Sequence, residues 1–551
     1  LLAALVTFVV RGAGPAQAPV HSPAAAGIAL ASATPGSASS SHSAFTALTR
    51  HERHAVATAA AATTTTAGRS GGHGVATQPT TSAALSQSLQ QATGLTPSQV
   101  TSRNVCPSLG RGQARCAAEA LVLRSNGTLV RPRVRREATL GRVHPVRRSA
   151  IGRRATAGST TAAPTTGQPT SVTPPTPDTP AYLEQAYDLS YLSQTGGTGD
   201  TVGIIDAYDD PTAQSDLDTY RSNYGLPACD SGCFTKVNES GNASPLPAAS
   251  SDWDTEISLD LDTVSAICPN CHILLVEASS SSESDLQAAM QTAARLHANQ
   301  ISDSWTLTGS GHVSNFTPSG VPTVAATGDQ GYVGSLTPGS DNYPAAFPGV
   351  TAAGGTSLAP AASSTARGFS ESAWSVTQTP DGPEGGGSGC DVNESRPTYQ
   401  PNLGCTGRAY ADLSADADPN TGLEVVDDGN WGVVGGTSLA TPLIAAYYAI
   451  TGIDNTTSST SAKWAYATPD STLLNDITSG SNGTCSAYPY ICTAGTGYDG
   501  PTGMGSISGA VATGAPGIGG PPIKPQYTPA TAGASNPDSY TESTRADGAT
   551  I

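Results

Sequence analysis

The feature that most restricts this chain is a series of short apolar runs with a helical stretch among them. Residues 201–206, 272–277 and 321–326 read as buried strands. Between the last two, residues 285–297 place Leu286, Ala289, Met290, Ala293 and Leu296 on one helical face. Strands that are apolar on both sides and alternate with helices require a parallel sheet covered on both faces. In such α/β sheets a ligand site forms at the carboxyl ends of the strands.

Charge divides the 551 residues into two parts. Residues 1–180 hold 17 Arg against 4 acidic groups, whereas residues 181–551 hold 9 basic and 39 acidic groups. An acidic body repels phosphate, which argues against nucleic acid as a partner. The Arg-rich stretch 103–154 is suited to polyanions, or to the acidic body of its own chain, which is always present at high effective concentration.

Residues 1–10 are apolar apart from Thr7 and too short to span a bilayer. With Ala16-Gln17-Ala18 after them they read as a signal-peptide remnant, 1–18, of a secreted, extracellular chain. Residues 19–100 are Ala/Thr/Ser-rich and bury too little to offset their ordering entropy, so disorder is expected. Residues 101–180 form an Arg-rich pro-segment and a Thr/Pro linker, with one short strand at 118–123. The body follows at 181–515, and a Pro/Gly/Ser/Thr-rich tail at 516–551. No further stretch suits a membrane helix, and a monomer without a membrane partner is expected. The ten cysteines fall into the close pairs Cys106/Cys116, Cys229/Cys233, Cys268/Cys271, Cys390/Cys405 and Cys485/Cys492. In a secreted chain these read as local disulfides. Zinc at Cys268-Pro-Asn-Cys271 would need a second pair, or histidines at matching spacing.

The chemistry starts at Gly435-Gly436-Thr437-Ser438. An apolar helix follows it and stops at Gly452. A serine there sits among free N–H groups able to hold an oxyanion, although a lone Gly-Thr-Ser is also an ordinary helix cap. Gly354-Gly355-Thr356-Ser357 has the same core but opens no apolar helix. A serine nucleophile needs a base. The body's histidines, His272, His297 and His312, lack a subtilisin-like His-Gly-Thr-His setting. Glu256 and Asp260, four apart on a helix that begins near Trp253, share one face and can share a proton. The competing reading is a solvated acidic helix face. Asp262 points elsewhere. Asp329, in Gly328-Asp329-Gln330-Gly331 after a strand, stands where a sheet enzyme places a site residue, or is simply a turn aspartate.

Taken together, Gly-Gly-Thr-Ser438-x-x-x-Pro442, Glu256-x-x-x-Asp260 and Gly328-Asp329-x-Gly331 resemble the sedolisin (serine-carboxyl peptidase) family, over about residues 180–507. The secreted bacterial members are also similar in the strand that ends at Asp206 and in the Cys268/Cys271 pair. The resemblance implies a subtilisin-like fold with a seven-stranded parallel sheet and helices on both faces. It implies Ser438 as nucleophile, Glu256 as general base, Asp260 as its partner and Asp329 as the oxyanion-hole acid. Protein or peptide would be the substrate, cut through an acyl-enzyme at acid pH. It further implies one structural Ca²⁺ held by Asp476, Ile477, Gly495, Gly497 and Asp499, since hard carboxylates and main-chain oxygens are calcium ligands. The chain departs from the family at Thr306, where Ser304-Trp305 is usually followed by Gly, and in its N-terminal region, which resembles a reduced propeptide. A catalytically idle relative used for binding or wall attachment is the alternative, and the intact set of four residues speaks against it.

Overall fold

The computed structural model describes residues 80–133 and 175–509, apart from short gaps at 107–111, 230–231, 309–315, 319, 333–341, 362–367, 453–461, 468–473 and 487, together with the strand Val75–Ala76. The expectations for residues 1–18, most of 19–100, 134–174 and 516–551 lie outside the described residues.

Seven parallel strands form the centre. Their spatial order is Phe234–Asn238, His272–Ala278, Thr201–Ala207, Gln300–Asp303, Thr323–Ala326, Thr351–Pro360 and Leu413–Asp416. This is the parallel sheet read from the apolar runs. A short strand, Ser506–Ile507, adds parallel to the last through Ser414 and Ser506. Leu474–Asp476 pairs antiparallel with that strand, and Val75–Ala76 adds parallel to Leu474–Asp476 at the edge. The chain passes from Thr201–Ala207 to neighbours on one side and returns at Gln300–Asp303 on the other. The order therefore reverses between these two strands, and a crevice opens at their carboxyl ends.

Helix Glu283–Arg295 packs against Thr201–Ala207 and His272–Ala278. Leu286, Ala289, Met290 and Ala293 are buried on it, as their spacing requires. Leu296 is a correction, because it follows the helix end and is 41% exposed. Helices Ser251–Ile267 and Thr437–Thr451 pack on each other and on the sheet. Thr437–Thr451 is buried from Thr437 through Ile450, so it is a core helix. The second Gly-Thr-Ser instead lies within the extended strand Thr351–Pro360, where the Ser357 hydroxyl donates to Asp418 at 2.7 Å.

The N-terminal region is more ordered than its composition suggests. Helix Ser82–Thr93 falls within the segment expected to be disordered. Thr81 caps it, accepting from Ala84 N–H at 3.1 Å, and Gly94 ends it in the left-handed region. Leu89 anchors it in a small core with Val100, Leu121, Val130 and Val433. The expected strand is present as Glu119–Leu123, and Val100–Asn104 and Arg115–Cys116 are strands as well. Glu119–Leu123 pairs with Val100–Asn104 on one side and with Asn430–Gly435 of the body on the other. Backbone pairing and apolar contact therefore dock this segment. Arg115 lies 4.0 Å from Glu119 of its own segment, and its charge also lowers the pKa of Asp329 in the body.

All five cysteine pairs are disulfides. The Cys268–Cys271 bond removes the zinc reading of that pair.

Candidate active site

The structure brings Ser438, Glu256, Asp260 and Asp329 together at the crevice, all fully buried. Ser438 stands in the first turn of helix Thr437–Thr451, where backbone N–H groups have no partner within the helix. Gly436 precedes the helix at φ +95°, a conformation that favours glycine. A Cβ on Gly436 would come within 2.0 Å of the Ala117 carbonyl oxygen and 2.7 Å of Asp329 Oδ2. Pro442 lies inside the helix and lacks the N–H that would bond the Ser438 carbonyl. The Ser304 hydroxyl stands 3.4 Å from that carbonyl.

Helix Ser251–Ile267 supplies the two carboxyl groups one turn apart. Their face is not solvated: Glu256, Asp260 and Asp262 are all buried. Asp262 does point elsewhere, accepting from Val426 N–H at 3.0 Å. Glu256 lies beside the Ser438 hydroxyl, which is directed to the Ser304 carbonyl at 3.0 Å and leaves both Glu256 oxygens without a protein partner. Burial first, then Asp260 and Asp206, raise the Glu256 pKa well above its usual value, and the neighbouring Ser438 hydroxyl opposes this. Asp260 Oδ1 accepts from the Ser304 hydroxyl at 2.8 Å. Its pKa is also raised, by burial, Asp206 and Asp303.

Asp329 follows Gly328, whose φ is +88°. Its Oδ1 accepts from Thr437 N–H at 2.8 Å and from the Thr437 hydroxyl at 2.7 Å. Oδ2 has no protein partner and lies against Gly436. Burial pushes this carboxyl up to about 7 against the two Thr437 hydrogen bonds, so it is protonated in acid.

The crevice is filled by the chain itself. Arg115 and Cys116 pair antiparallel with Thr306 and Trp305. Ala117 N–H donates to the Ser304 carbonyl at 3.0 Å, and Ser438 N–H donates to the Ala117 carbonyl at 3.1 Å. Glu119 and Ala120 then pair with Gly435 and Val434. A main-chain carbonyl is thus seated on the N–H of the candidate nucleophile. Thr306, the departure from the usual glycine, lies in this pairing strand.

Ala117, Ser304 and Thr437 are site residues that the sequence reading missed, because each acts through contacts between distant segments. Asp206 carried a signal, since it ends an apolar strand. It is buried, lies among Glu256, Asp260 and Asp303, and its pKa is raised by burial to about 8. His272 opens its strand at the end away from the crevice, His297 follows a helix, and His312 lies outside the described residues.

The residues expected to bind calcium also converge. Asp476 accepts from Gly497 N–H at 3.1 Å and Asp499 from Gly495 N–H at 3.0 Å. Asp499 is raised well above its usual pKa, mainly by burial, with Asp476 contributing. Ile477 is buried beside them. Two buried, mutually repelling carboxyl groups beside glycine-rich main chain are a donor set that suits Ca²⁺. No cluster of three or more His, Cys, Asp or Glu arranged for a metal occurs among the described residues.

The fold and the site define a subtilisin-like α/β chain with carboxyl groups where a histidine base would stand. Kumamolisin from Bacillus sp. (strain MN-32) is 30% identical over 378 residues, 61% of this chain and 63% of that protein. Sedolisin from Pseudomonas sp. (strain 101) is 28% identical over 356 residues, 60% and 59% of the two chains. The solved structure of Pseudomonas sedolisin, a serine-carboxyl proteinase complexed with two molecules of pseudo-iodotyrostatin, matches with a TM-score of 0.51 at 26% identity, covering 60% of this chain and 95% of that one. No family model matches the chain. In sequence and fold the chain is similar to these sedolisin-type serine-carboxyl peptidases. It spans about three fifths of the length of these curated relatives.

Proposed function

We propose that this chain is a secreted, acid-active serine-type peptidase that hydrolyses peptide bonds through an acyl-enzyme. The observation that carries the reading is the Ala117 carbonyl held by Ser438 N–H, with the Ser438 hydroxyl and Glu256 beside it. A peptide group already rests where a substrate carbonyl would react. Ser438 attacks that carbonyl carbon while Glu256, oriented by Asp260, takes its proton. The oxyanion forms against Ser438 N–H and protonated Asp329, whose Oδ2 lies alongside. Glu256 returns the proton to the leaving nitrogen, and water then releases the acyl group.

Asp476, Asp499 and the main-chain oxygens of Ile477, Gly495 and Gly497 would hold one Ca²⁺, which supplies structural stability rather than chemistry. Five disulfides support an extracellular setting. Protein or peptide would be the substrate of a monomeric enzyme, with the chain's own N-terminal segment as the further partner. The test is hydrolysis of an unfolded protein from pH 3 to 8 by wild type, Ser438→Ala and Ser357→Ala. Wild type and Ser357→Ala should turn over in acid and Ser438→Ala should not. Full activity in Ser438→Ala rejects the reading.

A further inference from the structure

Residues 113–120 lie across Ser438 as a substrate would. On the amino side of Ala117, the Arg115–Cys116 strand pairs with Trp305–Thr308, and Ala114 N–H donates to the Ser281 carbonyl at 2.6 Å. On the carboxyl side, Glu119 and Ala120 pair with Gly435 and Val434. Between the two anchors lie Ala117 and Ala118, and the peptide group that joins them has its carbonyl on Ser438 N–H at 3.1 Å.

The two flanks of that peptide group are also tied to each other. Val100–Asn104 pairs with Glu119–Leu123 over five residues. Val105 N–H donates to the Ala118 carbonyl at 3.1 Å, and Asn104 Nδ2 to Glu119 Oε1 at 3.1 Å. The Cys106–Cys116 disulfide closes the loop one residue before Ala117. An ordinary bound peptide leaves once it is cut, because its new ends diffuse apart. Here the Ala118 amine would stay in the sheet beside the acyl group, at the high effective concentration of a tethered nucleophile.

We infer that residues 100–106 and 113–123 form a built-in substrate-like inhibitor, that its reactive bond is Ala117–Ala118, and that the Cys106–Cys116 disulfide is the lock that keeps its cleavage slow. The inference rests on the peptidase reading above. Ser438 Oγ bonds to the Ala117 carbonyl carbon as its proton passes to Glu256. The bond to the Ala118 nitrogen then breaks as that nitrogen takes the proton. Water hydrolyses the Ser438 ester, leaving an Ala117 carboxyl and an Ala118 amine and restoring the hydroxyl. Until water acts, the held amine can attack the ester and re-form the peptide bond. Both cysteines lie on the amino side of the cut, so the halves separate without reduction once the strands part.

The experiment uses full-length wild type, Cys106→Ala/Cys116→Ala, and each of these with Ser438→Ala, all held at pH 4. Mass spectrometry follows the new ends at Ala117 and Ala118, and hydrolysis of added denatured casein is followed in parallel. Wild type should form these ends slowly. The cysteine variant should form them roughly tenfold faster or more, within what freeing a short disulfide-closed loop can change. The onset of casein hydrolysis should advance by the same factor, and the Ser438→Ala chains should form no such ends. Equal rates with and without the disulfide overturn the lock. Casein hydrolysis with Ala117–Ala118 intact overturns the reactive bond and leaves the peptidase reading standing, whereas no hydrolysis by any chain overturns both. Should the cysteine variant fail to fold, the wild-type ends alone decide the reactive bond.

Discussion

The amide nitrogen of Ser438 lies 3.1 Å from the carbonyl oxygen of Ala117, 321 residues away in sequence. A helix N-terminus is an acceptor's natural neighbour, and here the acceptor is the chain's own peptide group. Burial first, then Asp260 and Asp206, raise the Glu256 pKa here. If residues 113–120 leave as proposed and water enters, its pKa should fall toward the ordinary carboxyl range.

Gly436 is the tightest point of this arrangement. A methyl group there would meet the Ala117 carbonyl oxygen at 2.0 Å and Asp329 Oδ2 at 2.7 Å, on a backbone at φ +95°. Gly436→Ala should therefore displace any substrate carbonyl from Ser438 N–H. The expected loss in kcat/KM is at least about a hundredfold, as for a misplacement of about 1 Å. Wild-type kinetics in a folded Gly436→Ala enzyme would show that substrate does not take the path of Ala117.

What was legible in the sequence was local. Glu256 and Asp260 are one helical turn apart, Ser438 opens its own apolar helix, and each cysteine pairs with a near neighbour. Periodicity and spacing carry such relations. Ala117 was not legible, because nothing in Cys116-Ala117-Ala118 marks a segment that crosses the sheet crevice. That depends on pairing with Trp305 and Gly435, far along the chain. For the described part of this segment, strand pairing and the apolar core around Leu121 add to the charge that Arg115 presents to Asp329, and the rest of the Arg stretch, 134–154, lies outside the described residues. The helix Ser82–Thr93 was hidden by the Ala/Ser-rich composition around Leu85 and Leu89.

Stability should fall as pH rises. Asp206, Glu256, Asp260, Asp303 and Asp329 are all raised, first by burial, Asp206 to about 8 and Asp329 to about 7. Below the unfolded pKa of about 4 both states are protonated and the stability is fully present. Above it the unfolded chain ionises freely and the folded one resists, so stability is lost up to the folded values. We expect Tm of the Ser438→Ala chain to drop by roughly 10 °C or more between pH 4 and pH 8, given the number of groups involved. A Tm that rises over that interval contradicts the buried carboxyl cluster.

Calcium should act in the opposite sense. Asp476 and Asp499 would hold the proposed ion only when deprotonated, and burial raises Asp499. A hundredfold excess over Kd stabilises by about 2.7 kcal/mol, or about 2–4 °C in Tm for a chain of this size. The gain should be larger at pH 7 than at pH 4, and Asp499→Asn should shrink it. Melting curves with Ca²⁺ and with excess chelator that coincide at pH 7 would dismiss the site.

Activity should be confined to a bell in acid, because the two key carboxyl groups need opposite protonation states. Glu256 must be ionised to take the Ser438 proton, so activity rises as pH rises through its pKa. An unperturbed Glu titrates near 4.3, far below a histidine near 6.5, and water entering the opened crevice moves Glu256 toward that value. Asp329 must be protonated to donate to the oxyanion, so activity falls as pH rises through its own pKa, about 7 with the crevice filled. Its Oδ1 is already held by Thr437, so Oδ2 is the oxygen left to carry the proton. Asp329→Asn presents a neutral N–H₂ donor that does not titrate. It should lower peak kcat by roughly ten- to a hundredfold, since amide and carboxylic acid differ in donor strength and placement. It should also carry the alkaline limb to higher pH, while the acid limb, set by Glu256, stays in place. The decisive measurement is the pair of kcat/KM profiles from pH 3 to 8 on one peptide, using enzyme already freed of residues 113–120. A mutant profile that merely scales down, with both limbs unmoved, would remove Asp329 from the oxyanion site, and a wild-type maximum at pH 7.5 would remove Glu256 as the base.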